Sequence, residues 1–235
     1  MSNFPPLSIE NSIVILAIDS NYDPITKVAF IYRENHVYSY FLEKGFLVEK
    51  CQGKLARRPY IIQALKKLNI KYITGVGHGF DDVFTGDQGR PIFSENNYSQ
   101  DESKGKIIHF LSCLTAIKLG VDLVQNGCLA FFGYDIPFTY IIDCVEAEVL
   151  FQCDAEIDRA FADDLTAEEV YQRVDNLYQT KIKEYREKLR QARKNDADEI
   201  TITQLTNIIS YLQVHRNHLC CPSIDQRWGN VQAKL

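Results

Sequence analysis

The chain has 235 residues, 46% hydrophobic and 24% charged, with a formal net charge of −5. That length suits one large domain whose core needs no disulfides, and the acidic balance argues against a nucleic-acid partner. No apolar run approaches the roughly 18 residues of a membrane span, and MSNFPPLSIENS lacks the basic start and apolar core of a secretory leader. The expectation is a cytoplasmic protein with no membrane partner.

The elements read in chain order as alternating strands and helices. SIVILAID (Ser12 to Asp19) is a continuous β-branched run, the mark of a strand buried on both faces. KVAFIYRENHVYSYFLEKG has apolar residues near helical spacing and stops at Gly45. FLVEKCQG is a second strand. RRPYIIQALKKLN is a helix with Pro59 near its start and lysines late. KYITGVG and KIIHFLSC are the third and fourth strands, TAIKLGVDLVQNG a helix, and CLAFFGYD the fifth strand. The fold expected is α/β: a three-layer sandwich with a mainly parallel sheet, helices on both faces and a helical C-terminal portion. It forms a single domain, with a core over about 12–150 and helices over about 151–235. In the latter, Thr166 and Glu169 form a capping box, and a second helix spans roughly Ile200 to Leu219.

Asp81 to Gly105 breaks this pattern. It is rich in Asp, Gly, Ser and Asn, and reads as a long structureless connection. Such connections are usually functional, so a lid or an autocleavage site is expected there.

Seven cysteines are present: Cys51, Cys113, Cys128, Cys144, Cys153, Cys220 and Cys221. They have no regular spacing and form no CxxC pair. Most therefore read as buried free thiols of a reducing compartment, and a zinc site is not expected.

Two strand ends carry the chemistry. The run GVGHGF places His78 between Gly77 and Gly79, and FLSC ends on Cys113. In an open parallel sheet, ligands bind beyond the carboxyl ends of the strands. If these two strands are neighbours, a thiol and an imidazole meet at one reacting centre, and the imidazole can take the thiol proton. The flanking glycines allow a sharp turn and a close backbone approach. The N–H groups of Gly79 and Cys113 are candidate oxyanion donors, the latter at the expected start of the following helix. Asp19 and Asp135 end strands on the same edge. Paired carboxylates there would favour Arg or Lys as the residue before the scissile bond, P1. His109, inside its strand, reads as a packed core residue rather than a metal ligand. GVGHG lacks the third glycine and the following helix of a dinucleotide fingerprint.

The order of these blocks resembles the caspase-like cysteine peptidases: caspases, metacaspases, gingipain-like enzymes and CHAT domains. The match is an apolar block ending in His-Gly, YITGVGHG, then an apolar block ending in cysteine, IIHFLSC. LVQNGCLAFFGYD looks like the family's next helix, glycine turn and strand, and the likeness covers about residues 12 to 190. It implies Cys113 as nucleophile, His78 as general base and acid, and the Gly79 and Cys113 N–H groups as oxyanion hole. It also implies peptide hydrolysis without cofactor or metal, a protein or peptide substrate, and, in bacterial members, an effector or regulator protein as partner. The caspase QACRG block is absent, and Leu111 stands where metacaspases carry an Asp. The rival reading is a caspase-like fold kept as a silent scaffold or interaction module.

Overall fold

A computed structural model describes residues 13–141 and 148–235; Cys144 lies outside the described residues. Its centre is a sheet of β1 (Val14–Asp19), β2 (Leu47–Gln52), β3 (Ile70–Val76), β7 (Ile107–Leu111), β8 (Ala130–Tyr134) and β9 (Leu219–Cys220), in the order β2-β1-β3-β7-β8-β9. All pairs are parallel except β8 with β9. The α/β three-layer reading holds.

Strand side chains alternate between faces, and here the alternation sorts two cores. Leu16, Ile18, Ile73, Ile108, Phe110 and Phe131 line one face. It is covered by α3 (Arg58–Lys67) and α5 (Leu119–Gln125). Ile15, Ala17, Tyr72, Val76, Leu111, Phe132 and Tyr134 line the other. This second face is covered by α1 (Pro24–Arg33), α2 (Ser39–Glu43) and α6 (Glu148–Ala162). The long α7 (Ala167–Lys194) and α8 (Glu199–Asn217) pack behind them. α7 carries the expected capping box between Thr166 and Glu169. Among the described residues no helix is long and apolar enough to cross a membrane.

The first helix starts earlier than its apolar spacing indicates. Asp23 caps it by accepting the Thr26 N–H at 2.9 Å, and Pro24 fills its first turn. It then runs into α2 through a π-turn, Glu34–Tyr38. Residues five apart lie about 140° apart around a regular α-helix. The wider turn brings Arg33 and Tyr38 to the same inward side, where Arg33 Nε donates to the Tyr38 hydroxyl at 3.2 Å.

The segment 81–105 is not structureless. With Gly79 and Phe80 it builds a small antiparallel sheet of β4 (Gly79–Phe80), β5 (Val83–Thr85) and β6 (Pro91–Ser94), followed by the helical turn α4 (Gln100–Ser103). Phe84 stacks on Phe110 of β7 with centroids 3.9 Å apart, and Ile92 and Phe93 are buried. Strands this short, set among turn residues, carry too few positions to show a period. The lid expectation loses its support, because an opening motion would expose Phe84 and Phe93.

The helix after Cys113 also differs from expectation. It begins only at Leu119, and the intervening turn holds Leu114 at φ +62°, a left-handed conformation that costs a non-glycine residue energy.

Candidate active site

The register of the central strands brings the two motifs level. Val76 pairs with Leu111 across β3 and β7, and Gly77 N–H donates to the Leu111 carbonyl. His78 and Cys113 each stand two residues beyond that pair. Both line one small cavity, of about 40 Å3, together with Ile25, Thr26, Ala29, Val76, Leu111, Phe138 and Tyr140.

Gly79 is required by this closeness. A Cβ there would lie 2.4 Å from the Cys113 carbonyl oxygen and 2.7 Å from Thr115 Cγ2. Gly79→Ala must therefore push the histidine turn away from the cysteine turn. Its expected outcome is an activity loss of at least about tenfold, from misplacement of reacting groups by a fraction of an ångström, with a cooperative melting transition retained in calorimetry.

His78 is held by a residue that sequence reasoning missed. Its Nε2 lies 2.9 Å from Asp23 Oδ2. A carboxylate can only accept, so Nε2 carries the proton and the neutral ring keeps its lone pair on Nδ1. Asp23 is itself fixed by the Thr26 N–H and hydroxyl. Burial would raise its pKa, yet the Thr26 N–H and His78 hold it below the ordinary carboxylate value. One side chain thus caps α1 and aims the imidazole. The signal was present as Asp23-Pro24, a helix cap followed by a first-turn proline.

Cys113 is half-buried, and burial pushes its thiol pKa up; the Phe138 N–H, which donates to the sulfur, opposes this. The expected helix N-terminus, set back to Leu119, supplies no stabilisation of a thiolate. The resting group is therefore a thiol. The other free cysteines among the described residues are all buried. Selective alkylation of Cys113 would follow from exposure alone, so only its dependence on His78 is informative about catalysis.

The segment after β8 roofs the cavity. Tyr140 donates its hydroxyl to the Ile25 carbonyl. Phe138 stacks on His215 of α8 with centroids 4.0 Å apart, and the Thr139 N–H donates to His215 Nε2 at 3.1 Å. Burial, with a smaller contribution from His218, drives the His215 pKa down to about 3, which leaves its ring neutral and able to accept that bond. The backbone N–H that meets the Cys113 sulfur is thus positioned by the C-terminal helix.

Asp19 and Asp135 do not line the cavity. Asp19 is fully buried, accepts from Tyr38, Gln52 and the Val76 N–H, and lies 3.5 Å from Arg33. Burial raises its pKa despite Arg33. Asp135 accepts from His218 Nδ1 at 2.9 Å. The strand-end positions were read correctly. The last residue of a strand can point to either face, and here the pleat turns Asp19 under the helices.

His109 is a buried core residue, as expected, but a charged one. It lies 3.2 Å from both Asp154 and Asp158 of α6. Burial works against the imidazolium, but the Asp158 and Asp154 carboxylates outweigh it and raise its pKa to about 9. These three residues have metal-ligand spacing, with ligand atoms within 4.8 Å of one another. Arg33 already places its guanidinium 3.1 Å from Asp158 and 3.7 Å from Asp154, so the cation of this group is built into the chain.

Compared with models of known protein families and with curated proteins, the chain matches none.

Proposed function

We propose that the chain is a cysteine endopeptidase that hydrolyses peptide bonds in a cytoplasmic protein substrate. The observation that carries this reading is one cavity lined by both Cys113 and His78, with the His78 imidazole held through Nε2 by Asp23. A nucleophile, a base and a group that orients the base form the general pattern of activated nucleophilic catalysis. The caspase-like order of the two motifs supports it from the sequence side.

His78 Nδ1 takes the Cys113 proton as the sulfur attacks the scissile carbonyl. Because burial keeps the resting thiol protonated, the proton moves during attack rather than before it. The Gly79 and Cys113 N–H groups receive the oxyanion. The tetrahedral intermediate collapses, the C–N bond breaks, and His78 gives its proton to the leaving amine. Water, deprotonated by His78, then attacks the thioester, releasing the acid and restoring the thiol. The chemistry requires no cofactor or metal.

The scaffold reading draws on the raised thiol pKa and the closed roof. A mixed peptide library read by mass spectrometry separates the two. Cleavage by wild type and none by Cys113→Ala is the expected result; equal patterns from both proteins would overturn the peptidase reading.

A further inference from the structure

The cavity beside Cys113 is where the P1 side chain must go, because it opens next to the sulfur that attacks the adjoining carbonyl. Its walls are Ile25, Ala29, Val76, Leu111, Phe138 and Tyr140. Val76 and Leu111 are the residues one pleat before His78 and Cys113, so strand alternation turns them to the same face as the reacting groups. Among the described residues no Asp, Glu, Lys or Arg lines the cavity. Two described acids of the neighbouring elements are committed: Asp23 to Thr26 and His78, Asp19 to Tyr38, Gln52 and the Val76 N–H. A charged P1 group would be buried without a partner, which costs several kcal/mol unless it is neutralised. The Thr26 hydroxyl is taken by Asp23. The Tyr140 hydroxyl is taken by the Ile25 carbonyl. Its volume of about 40 Å3 is a few times the roughly 10–15 Å3 that one enclosed water needs by the same measure, room for a short side chain rather than a long one.

Resting on the peptidase reading, we infer that the enzyme cleaves after small uncharged residues, Gly, Ala or Ser, and that Leu111 and Ala29 set this choice by bulk and by lack of charge. This replaces the Arg or Lys preference that Asp19 and Asp135 suggested.

Peptidyl acyloxymethyl ketones of one common sequence, with Ala, Leu, Arg or Asp at P1, test it on the full chain. The thiol displaces the carboxylate leaving group and forms a thioether, so each second-order rate is read from the mass of the Cys113 peptide. Iodoacetamide serves as the non-peptidic control, and His78→Ala as the control for activation. The Ala probe is expected to react at least tenfold faster than the Leu, Arg and Asp probes. Leu111→Ala, which leaves Cys113, His78 and Asp23 in place, is expected to raise the Leu rate relative to the Ala rate at least tenfold. An Arg or Asp probe that matches or beats Ala, with His78-dependent labelling of Cys113, overturns the specificity and leaves the peptidase. Peptidyl probes that gain nothing over iodoacetamide and ignore loss of His78 overturn the peptidase reading and the specificity together.

Discussion

Cys113→Ala is expected to abolish hydrolysis, and Asp23→Ala to lower kcat/KM by two to four orders of magnitude. The second value follows from what Asp23 does. It fixes the tautomer and direction of His78 through a 2.9 Å hydrogen bond, and a correctly poised general base contributes roughly 10² to 10⁴ in rate. Asp23 also caps α1, so Asp23→Ala should cost about 1 kcal/mol of stability as well. Asp23→Ser separates the two roles. A serine side chain still accepts the Thr26 N–H as a helix cap, but it offers His78 no anion. Stability close to wild type with activity still at least a hundredfold down is the expected pattern, measured by urea unfolding and by peptide hydrolysis on the same preparations. Full activity in Asp23→Ser would remove Asp23 from the site.

Loss of Arg33 should threaten the fold itself. Arg33 is 1% exposed and faces Asp158, Asp154 and Asp19, with Thr74, Tyr38 and His109 closing the network. Burial disfavours ionisation of Asp158, yet Arg33 and then His109 hold its pKa well below the usual carboxylate range. Arg33→Met leaves those carboxylates facing one another in the core. Breaking a buried ion pair from one side typically costs about 3–5 kcal/mol, a large share of the roughly 5–15 kcal/mol that holds a domain together. The midpoint of urea unfolding should fall accordingly. The double variant Arg33→Met/Asp158→Leu should recover part of the loss, since it removes the stranded charge along with its partner. The same network has a pH signature. The folded pKa of His109, about 9, lies above the unfolded value of 6.5. Its contribution is therefore present in full below pH 6.5 and is lost as pH rises through 9. A stability decline between those limits, absent in His109→Gln, is the expected observation.

Both results turn on side chains whose position in the chain is plain but whose partners are not. β1, β3, β7 and β8 were legible because both faces of each strand are buried, so the apolar run is continuous. His78 and Cys113 were legible as residues at two strand ends on one edge of a parallel sheet; that their strands are neighbours and in level register came from the structure. α7 announced itself through its capping box and one apolar stripe.

Other features are decided only by contacts between distant segments. β5 and β6 are three and four residues long; they are strands because Phe84 and Phe93 pack under Phe110, which no local pattern reports. Asp19 reads as a strand-end acid, yet the pleat turns it under α1 and α2, where Tyr38 and Arg33 wait. The His109 charge depends on Asp154 and Asp158, 45 and 49 positions along the chain. Asp23 becomes an orienting group only because α1 begins beside the end of β3, and the raised Cys113 thiol comes from its burial in the fold, which the Phe138 N–H only partly offsets. The sequence by itself determined the layers, the strand ends and the presence of a histidine and a cysteine at two of them, because periodicity and turn chemistry are local. The tertiary structure alone decided which charges meet and how wide the cavity is, because hydrogen bonding and burial act across the fold rather than along the chain.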